Sequence, residues 1–150
     1  VDDIIKYRFR SEKLRNKATL AAGAPVSDVN VDGNKQGNKD LALVGDALIR
    51  LAIVDQGYAE GARTGKEQVA VWSVTADRTF LSRGTVVSYD LGRFVVKNPC
   101  QGKVVSRTTM ASTVEALVGA VWLDSGRNFE QVRAVMKRLG IIDDARRPGY

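Results

Sequence analysis

The chain contains no histidine among its 150 residues. That absence removes, at once, nucleases that cleave through a histidine acid and base, Ser-His-Asp hydrolases and histidine-ligated zinc sites. There is one cysteine, Cys100, so no internal disulfide can form; the thiol reads as an ordinary loop or core group and leaves the redox compartment open. No run approaches 18 consecutive apolar residues, so no membrane-spanning helix and no membrane partner are expected. Low-complexity sequence is also lacking. With 44% hydrophobic residues, residues 1–150 read as a single domain large enough for a real core. The first residue is Val rather than Met, as in a processed or trimmed chain whose targeting segment, if any, is out of view. The compartment is therefore unread, with an intracellular or mitochondrial setting favoured.

The charge that is present is mostly positive. A formal net charge of +6 and a pI near 9.7 favour a polyanionic partner, because cations set against phosphates gain affinity by releasing condensed counterions. The basic residues gather at the start (Lys6, Arg8, Arg10, Lys13, Arg15, Lys17), in the middle (Arg93, Lys97, Lys103, Arg107) and at the end (Arg127, Arg133, Lys137, Arg138, Arg146, Arg147). Any one cluster also fits a merely solvated face. None is interleaved with aromatics, which argues against single-strand stacking platforms and is neutral for duplex RNA, gripped through phosphates, 2′-hydroxyls and shape.

Two apolar stretches each carry one embedded acid. The first, NKDLALVGDALIRLAIV from Asn38 to Val54, has helical spacing, with Leu41, Val44, Leu48 and Leu51 as a core-facing stripe and little polar surface elsewhere. Its carboxylate, Asp46, shares its polar line with Lys39, Ala42 and Arg50. A buried ionised acid costs several kcal/mol unless it is paired or holds a metal; Arg50 at i+4 is the structural partner to weigh against a metal. The second stretch, ASTVEALVGAVWLD from 111 to 124, repeats the design around Glu115. Gly45 precedes Asp46 and Gly119 follows Glu115 by one turn. Where side chains are missing two helix backbones can approach closely, and both carboxylates could then reach one divalent cation. Mg²⁺ suits such a site, being held by one or two carboxylates plus water and substrate phosphates.

These two stretches resemble the paired signatures of the ribonuclease III nuclease domain, NERLEFLGDAVL and ADxFEALIGAIYLDxG, at about the right separation. The opening IIKYRFRSEKLRNKATL resembles the same domain's first helical region, with Tyr7, Phe9, Leu14 and Ala18 as matches. The resemblance covers about residues 4–140. It implies an all-α, ribonuclease III-like helical endonuclease fold, a homodimer, a double-stranded or structured RNA substrate, and Mg²⁺, with Mn²⁺ as substitute. The ten residues after Gly140 are too few for the double-stranded-RNA-binding domain that often follows, so the resemblance is to a minimal form. Of the family's four acidic metal ligands, two positions are occupied by Ala42 and Ser112 and two retain Asp46 and Glu115, which the resemblance makes catalytic and metal-binding. Ser112, Lys39 and Arg50 are candidate supporting residues around them. Two functions stay open: an endoribonuclease with a degenerate acidic site, and a catalytically inactive RNA-binding or assembly protein such as a mitochondrial ribosomal component.

Other expectations concern the frame. Ser11 should cap a helix running to about Ala22, with Leu14, Ala18 and Ala21 on its inner face, stopped by Gly23 and Pro25. Residues Ala24 to Gly37 read as a polar, turn-rich loop. Lys66 to Arg83 has helical spacing through Val69, Trp72, Ala76 and Phe80, ended by Gly84. The Val-rich run 85–106 reads as two short strands on propensity alone, where the family has loop and short helix. Asn128 should cap a last helix with Phe129, Val132, Met136 and Leu139 inward.

Overall fold

The structure, a computed structural model, describes residues 1–24, 36–59, 61 and 90–142. In order these form α1 (Asp2–Ile5), α2 (Glu12–Ala18), α3 (Lys39–Ala59), a 3-10 turn (Pro99–Gln101), α4 (Arg107–Asp124) and α5 (Phe129–Arg138). The protein is helical with no strand among the described residues; one isolated parallel bridge joins Leu20 to Val96. The helix expected over Lys66 to Arg83, with Trp72, lies outside the described residues, as does most of the loop from Ala24 to Gly37.

The helix starts follow from local chemistry. Ser11, Ser106 and Asn128 each sit in extended backbone and accept a hydrogen bond from a main-chain N–H three residues on, satisfying a donor the helix itself cannot. Helix α2 is shorter than its periodicity suggests. It ends at Ala18 because the chain then turns to pair with another segment: Ala21 N donates to Val96 O and Val96 N to Thr19 O, both at 2.9 Å. The same contact corrects the two-strand expectation for 85–106, of which 85–89 are not described. The rest forms a helical turn at 90–92, the bridge at Val96, and a 3-10 turn in which the Asn98 side chain accepts from Cys100 N. β-branched residues favour a pleated, half-buried surface rather than dictating one, and among the described residues the run pairs only with the short segment 19–21.

Helix α4, not α3, is the buried rod of the fold. Thirteen of its residues are buried, among them every one from Thr113 to Val121. Helices α2, α3 and α5 pack around it, and α5 contributes Val132, Val135 and Met136 to the common core, with Phe129 and Leu139 half-buried at its ends. Helix α3 covers α4 with one face only. Its buried line is Leu41, Ala42, Gly45, Leu48, Ile49, Ala52 and Ile53. Leu51, expected in the core, is 53% exposed, and Leu43 and Tyr58 stand 73% and 75% exposed on the same side. The seam is set by the small residue Gly45, which rotates the buried face away from the stripe that leucine spacing alone would choose. Among the described residues no helix is long and apolar enough to cross a membrane.

Candidate active site

The start of α3 is tied to α2 before it reaches α4. The Asn38 amide, buried, donates to Ala18 O at 2.8 Å, and Lys17 forms an ion pair with Asp40. From there α3 runs onto α4 at a contact between backbones. A Cβ added to Gly45 would lie 1.7 Å from the carbonyl oxygen of Glu115, and one added to Gly119 would lie 2.2 Å from that of Leu41. Only glycine fits at either place, as the sequence suggested. Asp46 is thus the residue next to one that rests on the Glu115 backbone, about 3.8 Å further along the chain.

The two acids differ in environment, and this corrects the expectation that both are buried. Glu115 is buried at 6% exposure. Asp46 is exposed, on the open side of α3. An exposed carboxylate is stable in water, so Asp46 needs neither Arg50 nor a metal to account for its charge. Arg50 and Lys39 are exposed on the same helix, one turn after and two turns before Asp46. Ser112 is half-buried, three residues before Glu115 and so on its face of α4. Ala42 is buried at 7% exposure, one turn before Asp46. Near the crossing of the two helices, then, one acid is buried on α4 and the other is open to solvent on α3.

This donor set can be tested against a metal. Among the described residues no group of three or more His, Cys, Asp or Glu side chains is placed to hold one. Asp46 and Glu115 are oxygen donors, the type that Mg²⁺ and Mn²⁺ accept while leaving several coordination positions to water and phosphate. They do not suit a metal that needs a full protein cage.

A different acid carries a role that sequence reasoning did not assign. Asp124, the last residue of α4, is buried and accepts three hydrogen bonds: from the Tyr7 hydroxyl (2.7 Å), Arg10 N (2.9 Å) and Ser11 N (2.8 Å). Burial alone would raise its pKa, but the bonds from Arg10 N, Tyr7 and Ser11 N outweigh it and hold the carboxyl below the ordinary carboxylate value. Burial first, and the carboxylate second, push the Tyr7 hydroxyl up to about 12. The clamp fastens the N-terminal segment across the end of α4, with Tyr7 set edge-on to Phe9 at 5.1 Å between ring centres. Both partners lay within matched motifs, as polar groups in apolar surroundings, and that was the available signal.

No family model matches the chain. Ribonuclease 3 from Magnetococcus marinus is 26% identical over 149 residues, a span covering 93% of this chain and 58% of that protein. Ribonuclease 3 1 from Nostoc sp. is 27% identical over 137 residues, covering 87% and 58%. Ribonuclease 3 from Caenorhabditis briggsae is 28% identical over 133 residues, covering 86% of this chain but 12% of that protein. The chain thus spans little more than half the length of the bacterial relatives. Among solved structures, the nuclease domain of ribonuclease III from Campylobacter jejuni, described for structural flexibility in the region involved in its dimer formation, matches with a TM-score of 0.77 at 19% identity over 92% of both chains. A second structure of that domain gives 0.73.

Proposed function

We propose that this chain, which has the fold of a ribonuclease III nuclease domain and resembles ribonucleases 3 over most of its length, is an endoribonuclease that hydrolyses phosphodiesters of double-stranded or structured RNA with a divalent metal and a reduced acidic site. The observation that carries this reading is the backbone contact of Gly45 with Glu115, because it brings the two segments that bear Asp46 and Glu115 together where α3 crosses α4. Asp46 and Glu115 would hold the ion. When bound, Mg²⁺, or Mn²⁺ in its place, supplies Lewis-acid stabilisation of charge on the phosphodiester oxygens. Glu115, held by its burial in one orientation, directs the attacking water, and the Ser112 hydroxyl one turn earlier gives that water a second hydrogen-bonding partner. Asp46, open to solvent, faces the approaching backbone. Lys39 and Arg50 flank it as cations for the neighbouring phosphates.

The reading includes a homodimer. Leu43, Leu51 and Tyr58 leave an apolar strip exposed along α3, with Leu43 one turn from Asp46, and a second copy covering that strip would draw the two acidic sites towards one interface. A second reading, a non-catalytic RNA-binding or assembly domain such as a mitochondrial ribosomal component, is favoured by the buried Ala42 and by the lack of a third acid among the described residues. Incubation of a long RNA duplex with Mg²⁺, beside Glu115→Gln, separates them. The nuclease reading expects metal-dependent cleavage that the amide abolishes while duplex binding is kept. Absence of cleavage in Mg²⁺ and Mn²⁺, or equal cleavage by the variant, refutes it.

A further inference from the structure

The chain leaves α1 through Lys6 in the left-handed region (φ 56°) and then runs to α2 as a strap whose side chains alternate in exposure. Lys6, Arg8 and Arg10 are exposed, Tyr7 is half-buried and Phe9 is buried, the period-2 pattern of a chain with one face on a core. Alternate residues of an extended chain are up to roughly 6.6 Å apart, so Arg8 and Arg10 project side by side, with Lys6 at the turn that opens the strap. Hydrogen bonds hold the row in place: Tyr7, Arg10 and Ser11 bind Asp124, and Phe9 N donates to Asp2 Oδ2 at 3.2 Å. Arg127, three residues beyond Asp124, is a further exposed cation on the α4 side of the clamp, with a positive φ of 64° in the turn after α4.

The charges in this row are not locked in close ion pairs, although Arg10 lies near enough to Asp124 to help hold that carboxyl low and Asp2 and Asp3 line the same hollow as Lys6 and Arg8. Arg15, Lys17, Arg93 and Arg133 are each taken up in an ion pair, whereas among the described residues none of Lys6, Arg8, Arg10 or Arg127 is. The aromatic rings of the strap face inward, so it offers cations without a stacking surface, and that combination fits a phosphate backbone rather than splayed bases. We infer that the strap Lys6–Arg10 together with Arg127 is a docking rail for the phosphate backbone of an RNA duplex, held in register by the Asp124 clamp. This rests on the reading of the protein as duplex-directed, but it does not require cleavage.

The test is duplex binding by the whole chain in chelator, where no metal-dependent cleavage intervenes, measured by fluorescence anisotropy against salt concentration. Arg8→Gln, Arg10→Gln and Arg127→Gln combined should weaken binding roughly tenfold or more and lower the log–log salt slope by about 2 to 2.7, at roughly 0.7 to 0.9 per phosphate contact. The matching triple Lys variant should keep the wild-type slope. Clamp bonds to Asp124 come from backbone N–H groups and Tyr7 and survive the substitutions, so the thermal midpoint should fall only by what the Arg10 charge adds to that carboxylate. Should the triple Gln variant fail to fold, Arg8→Gln and Arg127→Gln alone carry the test, each lowering the slope by about 0.7 to 0.9. Unchanged slopes overturn the inference. So does a Lys variant as weak as the Gln variant, or a loss confined to vesicles of anionic phospholipid. A protein that binds through the rail yet never cleaves upholds it while refuting the nuclease reading.

Discussion

Gly45→Ala perturbs the site at its foundation, and its cost can be worked from the structure. The new Cβ would lie 1.7 Å from the Glu115 carbonyl oxygen, 2.5 Å from its carbon and 3.1 Å from its Cα, against 3.4–4 Å for ordinary contact. All three are main-chain atoms, so no rotamer change relieves the clash and α3 must part from α4 by more than an ångström. Overpacking costs about 1–3 kcal/mol, and a backbone obstruction belongs at the upper end. Alanine recovers up to about 1 kcal/mol of helix propensity. The net is roughly 2 kcal/mol of destabilisation, a fall of roughly 4–8 °C in Tm for a domain of this size. Gly57→Ala supplies the control, because it lies in the same helix and a Cβ there meets nothing within 4 Å among the described residues; it should stabilise by about 0.5–1 kcal/mol. Urea denaturation followed by helical circular dichroism, with equal m-values, reads both. Cleavage should fall on the order of a hundredfold in Gly45→Ala, since an ångström of misplacement at a reacting centre costs about that much. Equal stability of Gly45→Ala and wild type, or Gly45→Ala and Gly57→Ala shifting together, would refute the seam and the site built on it.

Three further outcomes are expected. Ala42→Glu adds an acid at a buried position one turn from Asp46, so it should destabilise the protein in chelator, regain that stability in Mg²⁺, and lower the Mg²⁺ needed for half-maximal cleavage below the millimolar level expected of the two-acid site; stability indifferent to metal would refute this. The Tyr7–Asp124 clamp should shape stability against pH at both ends. Asp124 is the depressed group, so its contribution is whole above the ordinary value of 3.8 and is lost as pH falls through its lowered pKa. Tyr7 is raised, so its contribution is whole below 10.0 and is lost as pH rises towards about 12. Tyr7→Phe should cost about 1.5–3 kcal/mol at neutral pH and abolish the alkaline loss, as denaturant midpoints across pH would show. Leu43→Asp should yield monomers in sedimentation at concentrations where the wild type is dimeric; a wild-type monomer at micromolar concentration sinks the dimer.

Local rules made much of this protein legible in its sequence. Ser11 and Asn128 are caps because short polar side chains reach the orphan N–H groups of their own helix, a contact that needs no tertiary partner. The meeting of α3 and α4 at Gly45 and Gly119 was also readable, since a glycine beside an acid in an apolar helix has few uses other than close approach. Position across long range was not. Helix α3 is apolar around most of its circumference, so its spacing could not say which side meets α4 and which is left open; packing chose the glycine face and turned Asp46, Leu43 and Leu51 outward. Asp124 bonds to residues 113 to 117 positions away, and periodicity within a helix carries no information about such a partner. The Val-rich run around Val96 had strand propensity but makes a single bridge among the described residues, because pairing depends on what the rest of the fold brings alongside. Which residues make helices and caps is settled within a few turns of chain; which face is buried, and which carboxylate meets water, is decided by the elements that compete to cover it.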